Sequence, residues 1–394
     1  MRPQRLAIIV SHPIQHFVAF YRALAAETEI DLRVIFGSPI GVKPYYDNEM
    51  RSHISWNMDL LGGYDHEFLD DDAAHQPSFF STNSPKLGSR LKAFNPDAVL
   101  VYGYSQLNAV RALLWCRRHA VPAMLISDSE QLKERGGWKV MLKNLVVPRI
   151  FGLSSAFLSV GDQNEGYYRA YGARADRIFR SPFTIDEAVY RAAAKDRAAL
   201  RASARAELGL EDEDQVALFV GKLSPRKRPG DLLAAVDLLR AQGKSRIYAV
   251  FAGNGELAEE LRAMASAGDF ARFAGFVNVD RLPSLYAAAD VLVHPSQADP
   301  HPLICSEGAC VGLPLILSDR VGAAGPTDIA RPGENALIFP CGDVPALARA
   351  IEQIVDDAAA IERMSRRSRE IFNECDVRQS VRGVRQAMEV IIHG

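Results

Sequence analysis

Short apolar runs rich in β-branched residues recur along this chain, separated by longer stretches whose apolar positions return every three or four residues. The runs fall at 6–10 (LAIIV), 32–36 (LRVIF), 98–102 (AVLVY), 123–126 (AMLI) and 156–160 (AFLSV), and again at 216–220 (VALFV), 247–252 (IYAVFA), 290–295 (DVLVHP), 314–318 (PLILS) and 336–339 (ALIF). Continuously apolar runs of this length predict strands buried on both faces, with the amphipathic stretches packed on them as helices. That is an α/β, doubly wound parallel architecture. It comes in two sets, divided by 186–214, an Ala-, Arg- and acid-rich stretch with no strand candidate. We therefore expect two Rossmann-like domains, residues 1–185 and 186–371, with a helical linker running from near Tyr190 to Leu210. Residues 359–392 read as two helices without a following strand, the last of which, 372–394, could pack back on the first domain.

Composition narrows the class. With 394 residues, 48% of them hydrophobic, the chain can bury two sizeable cores, which excludes disorder, and 28 Gly with 21 Pro exclude a collagen-like repeat. Its 46 Lys+Arg against 48 Asp+Glu leave a net charge of −2, so no global attraction to nucleic acid is expected and anion binding must come from local clusters. Cys116, Cys305, Cys310, Cys341 and Cys375 form no Cys-x-x-Cys pair and suit a reducing compartment as buried small hydrophobes. Leu6–Val10 is too short for a signal-peptide core, and no apolar run approaches the roughly 20 residues that span a bilayer. The expected location is cytoplasmic, at most touching the inner face of a membrane.

In open α/β sheets ligands bind beyond the carboxyl ends of the strands. After the first run comes Ser11-His12-Pro13-Ile14-Gln15-His16, with no glycine, so the Gly-x-Gly-x-x-Gly turn that seats a dinucleotide is absent and a nicotinamide dehydrogenase is disfavoured. His12, Gln15 and His16 either line a cleft there or satisfy the loop backbone. After 216–220 comes Gly221-Lys222-Leu223-Ser224-Pro225-Arg226-Lys227-Arg228-Pro229, a cluster of cations on a strand-to-helix connection that suits a diphosphate without a metal. After 290–295, Pro302 suits the start of a short helix and Gly312 with Pro314 its end, so the free N–H groups from Leu303 onward favour an anion. Glu307, inside that helix among Ile, Cys, Gly and Ala, requires hydrogen-bond donors, and ribose hydroxyls are suitable ones.

Gly221-Lys222-Leu223 through Lys227, Phe251-Ala252-Gly253-Asn254-Gly255, Gly275-Phe276-Val277, Tyr286 through Val291 and Asp299 through Pro314 follow, in order and spacing, a known pattern. It resembles that of the family-4 (group 1) retaining glycosyltransferases, which have two Rossmann-like domains facing across a cleft in the GT-B arrangement. The match covers about 215–356. The first domain is similar more loosely, through the opening SHPIQHFVAFYRALA and through Ser181–Asp186. The resemblance implies that Lys222, Lys227 and the N–H groups of Leu303 and Ile304 hold a donor diphosphate. Glu307 would bind the ribose, with Phe276, Val277 and Gly253 near the base. Asp299, His301 and Pro302 would meet the donor sugar. Asp299 stands where the family has a longer Glu, His301-Pro302 replaces the usual Phe-Gly, and the first-domain histidine is missing, with Asp128 the candidate in its place. Catalysis would then rest on Asp128, Asp299 and Lys227.

The implied reaction is transfer of a sugar from a nucleoside-diphosphate sugar to an acceptor hydroxyl with retention, in glycan, glycolipid or polysaccharide biosynthesis. The partners are the donor and a glycan, lipid-linked or small-molecule acceptor. No Asp-x-Asp is present, and no metal or other cofactor is expected. The acceptor should bind the first domain, where 37–81 carry Tyr45, Tyr46, Trp56, Tyr64, Phe68 and Phe79 in irregular stretches. In 131–149, Trp138, Met141, Leu142, Leu145 and Val146 share a helical face flanked by Lys133, Arg135, Lys139, Lys143 and Arg149. Packing of that stripe on the sheet is the favoured reading, and a lipid-surface contact the alternative. An epimerase or phosphorylase of the same architecture, or a non-catalytic nucleotide-sugar binder, stands beside the transferase reading.

Overall fold

The computed structural model describes residues 2–70, 79, 83–132, 137–266 and 268–394. It divides into two compact units, one of residues 1–45, 58–185 and 376–394, the other of residues 46–57 and 186–375.

The first unit is a parallel sheet of β1 (Gln4–Val10), β2 (Ile30–Phe36), β5 (His66–Phe68), β6 (Ala98–Tyr102), β7 (Ala123–Ser127), β8 (Ala156–Ser159) and β9 (Ile178–Arg180). The strands β3 (Tyr45–Asp47) and β4 (Ser52–Ile54) pair separately. The spatial order is β5-β2-β1-β6-β7-β8-β9. Every apolar run read as a strand is one here, because a strand covered on both faces must be apolar throughout: Leu6 to Val10 and Ala98 to Val101 are buried. The helix Val377–His393 packs on this sheet. Gly383 lets it approach, since a Cβ there would stand 2.1 Å from the Arg180 carbonyl oxygen, and Ser380 Oγ donates to the Pro182 carbonyl at 2.7 Å. Asp376 caps this helix after a break from Ala358–Glu374, so the segment that returns to the first unit starts at 376 and not at 372.

The second unit orders β10 (Gln215–Val220), β11 (Ile247–Ala252), β12 (Ala271–Gly275), β13 (Val291–His294), β14 (Leu315–Ser318) and β15 (Ala336–Phe339) as β12-β11-β10-β13-β14-β15, all parallel. β12 escaped the hydrophobic pattern because it is a half-buried edge strand carrying Arg272 and Gly275.

Two expectations are corrected here. The stretch read as a helical linker is helical, as Glu187–Lys195 and Arg197–Glu207, but it is no mere connection, since the second helix is docked by arginines spaced one turn apart. Arg201 pairs with Asp290 Oδ1 at 2.7 Å and Arg205 with Asp290 Oδ2 at 2.9 Å, while Arg197 donates to the Ala289 carbonyl at 2.9 Å. Arg205 is 1% exposed and also donates to the carbonyls of Ala288, Glu211, Asp212 and Asp214. Residues 46–57, counted by sequence with the first domain, belong to the second unit, because their polar groups bond to its loops.

Candidate functional site

In each sheet the strand order reverses once, between β1 and β6 in the first unit and between β10 and β13 in the second, and a ligand crevice opens at the carboxyl ends there. At the β10–β13 switch the structure brings together Lys227, from the loop after β10, and Asp299, from the loop after β13. The Lys227 ammonium donates to Asp299 Oδ2, and the same oxygen is 2.7 Å from His294 Nε2. His294, the last residue of β13, is 1% exposed. Burial lowers its pKa, as it does that of Lys227, while Asp299 stays far below the usual carboxylate range against the push of burial, because His294 and Lys227 hold it. Asp299 is therefore an ion-pair partner through Oδ2, drawn back onto the sheet.

Pro302 caps the helix Leu303–Val311 with extended backbone and no side-chain cap, so the N–H groups of Leu303 and Ile304 head the helix beside this ion pair. Gly312 ends the helix at φ 89°, as its sequence position predicts. Burial pushes the Cys305 thiol well above its ordinary range, and Asp299, Asp328 and Glu307 add to that push while Lys227 opposes it. Glu307 Oε2 accepts the Tyr286 hydroxyl at 2.6 Å, and Tyr190 also hydrogen-bonds this carboxylate. The sequence assigned its donors to ribose alone; the protein supplies tyrosines. Burial still raises the Glu307 pKa, the two hydroxyls offsetting part of it. His301 is buried with Nε2 3.1 Å from Asp328 Oδ1.

Lys222 stands apart from the Lys227 pair. Its ammonium is 2.7 Å from Glu49 Oε2 and 3.1 Å from Asp47 Oδ2, both in the 46–57 segment. Burial lowers its pKa, but those carboxylates outweigh burial and the net direction is up. Phe276 and Val277 line a cavity of about 450 Å³ with Asn57, Asn278, Asp280 and Arg281, and the Trp56 ring meets Phe276 at 6.4 Å. Gly253 has a different role from the one expected. A Cβ at its φ of 147° would lie 1.9 Å from the Gly221 carbonyl oxygen, and its N–H donates to Gly275 at 2.7 Å. It permits the loops after β10 and β11 to touch.

In the first unit His12 and His16 follow β1 as the pattern placed them. Ser11 Oγ is 2.7 Å from His12 Nδ1, and Thr184 Oγ1 donates to the His16 carbonyl at 2.7 Å. Burial lowers His12 to about 4 and, with His12 as a neighbour, His16 to about 3, so both are neutral at pH 7. Gln15 begins the helix Gln15–Ala25. Asp128 is exposed after β7, and the next described helix begins at Gly137. The preceding Ser127 N–H donates to Tyr168 Oη at 2.8 Å, which anchors the loop. A cavity of about 650 Å³ lies at the amino ends of β1 and β2, lined by Arg2, Gln4, Glu29 and Arg385, the wrong end of a parallel sheet for ligand chemistry.

The stripe on the helix Gly137–Phe151 corrects another expectation. Trp138 is 67% exposed, Met141 72% and Leu145 54%, so this face is not packed on the sheet. Lys133 and Arg135, and the side chain of Lys139, lie outside the described residues, as do 71–78 and 80–82 of the aromatic-rich stretch. Among the described residues no three His, Cys, Asp or Glu side chains converge on a metal-sized site, and no helix is long and apolar enough to cross a membrane.

The two sheets and their switch points have the GT-B fold. HepE of Anabaena in complex with UDP superposes with a TM-score of 0.73 at 16% identity, over 98% of this chain and 100% of that one. Sucrose-phosphate synthase of Thermosynechococcus elongatus superposes at 0.70 and 19%, over 98% of each. Residues 201–371 match the profile described as glycosyl transferases group 1. D-inositol 3-phosphate glycosyltransferase of Acidothermus cellulolyticus is 32% identical over 203 residues, 49% of this chain and 43% of that protein. That of Streptomyces griseus is 32% identical over 176 residues, 42% of this chain and 36% of its own length. The chain thus spans less than half the length of these relatives.

Proposed function

We propose that this protein transfers a sugar from a nucleoside-diphosphate sugar to an acceptor hydroxyl with retention of anomeric configuration, in the manner of family 4. The observation that carries the reading is the cluster at the β10–β13 switch: Lys227 on Asp299, beside the uncapped amino end of Leu303–Val311. As the glycosidic bond breaks, its electron pair goes to the diphosphate while the ring becomes oxocarbenium-like. Lys227 and the Leu303 and Ile304 N–H groups are fixed donors aimed at that growing charge, the kind of term that usually dominates catalysis. Lys222 would reach the same diphosphate, Glu307 the ribose and the Phe276–Val277 cavity the base. UDP in the HepE structure supports a uridine donor as the first to try.

The acceptor is assigned to the first unit, near His12, Gln15 and His16, whose neutral imidazoles suit hydroxyl recognition. The exposed apolar face of Gly137–Phe151, with Arg149 on the same helix, supports peripheral contact with an anionic membrane and a lipid-linked acceptor. Turnover of a UDP-, GDP- or ADP-sugar with a lipid or sugar acceptor in the presence of EDTA is the expected result. Activity that disappears in EDTA and returns with magnesium or manganese contradicts the metal-free clamp.

A second reading has its own observation. Asp299 is engaged by Lys227 and His294, and Glu307 by Tyr286, as in a protein that binds a nucleotide sugar without turning it over. Nucleotide binding with neither hydrolysis nor transfer across the panel would select it, and product formed without acceptor would select an epimerase.

A further inference from the structure

β3, the turn at 48–51 and β4 form a hairpin that runs on through Ser55, Trp56 and Asn57, and residues 46–57 of it belong to the second unit. It touches the loops that follow three neighbouring strands. After β10, Lys222 Nζ lies 2.7 Å from Glu49 Oε2 and 3.1 Å from Asp47 Oδ2. After β11, Glu256 pairs loosely with Arg51 at 3.8 Å. After β12, Asn278 Nδ2 donates to the Ser55 carbonyl at 2.6 Å, and Phe276 meets Trp56. Asp47 is itself fixed by its own turn, since Oδ1 accepts the N–H groups of Glu49 at 2.9 Å and Met50 at 2.8 Å.

One carboxylate would balance one ammonium. Lys222 has two, and the Glu49 side chain is 55% exposed, so its contact adds little to stability. Paired anionic oxygens on a lysine at the carboxyl end of a strand are, however, what a diphosphate presents. We propose that this hairpin is an internal competitor for the donor: Asp47 and Glu49 occupy Lys222 in place of phosphate oxygens, and they must leave it before a nucleoside diphosphate can use that cation. The inference rests on the donor-site reading of Lys222. It gives the empty site a built-in counter-charge, and it makes affinity depend on how readily residues 46–57 lift.

The test is calorimetric titration of UDP, GDP and ADP into the full chain as wild type, E49Q, D47N/E49Q, K222A and D47N/E49Q/K222A. Removing both carboxylates should tighten the best-bound nucleotide about three- to tenfold, the range of one or two partly exposed ion pairs. E49Q, whose side chain is largely outside the fold, should give part of the gain without risk to folding. In the K222A background the gain should vanish, because competition acts only through that ammonium. Unchanged or weaker binding in D47N/E49Q, with wild type still binding, overturns the competitor and leaves the donor site intact. A gain that survives K222A also overturns it, as general repulsion. No binding in any variant removes the donor site and the competitor together.

Discussion

The carboxyl ends of the two sheets share a topology and differ in chemistry. After β1 the groups at the switch are imidazoles held neutral by burial, with His16 against Phe17 and Phe183 and Phe17 against Tyr102. After β10 and β13 they are ions, each with a partner already in place: Lys227 with Asp299, and Lys222 with Asp47 and Glu49. Burial acts on both ends, but on the first it removes charge, and on the second an opposite charge resists it. A crevice meant for hydroxyls can be built without ions. One for a diphosphate, as proposed for the second unit, needs cations, and buried cations need partners.

The sharpest way to break this comparison is to unbalance the second unit. Arg205→Leu removes the buried donor to Asp290 and four carbonyls and should destabilise that unit by about 3–5 kcal/mol, read by denaturant unfolding. A loss below about 1 kcal/mol would mean that the arginine row is ornamental. Lys227→Ala leaves Asp299 buried without its cation. It should cost about 3 kcal/mol and weaken nucleoside diphosphate binding at least about tenfold. Unchanged affinity in a folded variant would move the diphosphate elsewhere.

Acid should separate the units. His12 and His16 have folded pKa values of about 4 and about 3, below the ordinary 6.5, so between these limits the unfolded chain binds more protons and stability falls as pH falls. Asp299 is shifted down, so its contribution persists until pH drops below the ordinary carboxylate range. Glu307 is shifted up, so its contribution grows as pH falls toward that range. Hydrogen exchange at pH 7 and pH 5 should therefore show the first unit, with its two histidines, loosening by on the order of 2 kcal/mol and the second, where His294 is shifted down alone among the groups named here, loosening less. Equal loosening of both would deny the contrast. The smallest effect on folding belongs to Met141→Ser with Leu145→Ser. Stability should shift by less than about 0.5 kcal/mol, as expected of exposed positions, while sedimentation with anionic vesicles is lost.

Much of this was legible in the residues. Buried parallel strands announce themselves because both faces must be apolar, and the turn chemistry of Pro302 and Gly312 placed a short helix correctly. What the sequence hid is what depends on distant partners. His294 looked like the end of an apolar run until Asp299 folded back onto it, and Tyr286 lies 21 positions from the carboxylate it holds. Asp47 and Glu49 sit more than 170 positions before Lys222, with separations of 175 and 173, beyond any periodicity. The arginines of 197–205 were legible only as part of a helical linker, because helical spacing gives their common face but not the Asp290 beneath it. The exposed stripe of Gly137–Phe151 misled for the opposite reason, since an apolar face predicts burial without saying against what.

The central claim is that the β10–β13 switch of the second unit holds a nucleoside diphosphate. Calorimetric titration of UDP, GDP and ADP into wild type, Lys227→Ala and Glu307→Ala tests it most directly. The account predicts that at least one nucleotide binds the wild type and that both substitutions weaken it, Lys227→Ala through the diphosphate and Glu307→Ala through the ribose. Equal affinity in all three proteins, or no binding to the wild type, would contradict it.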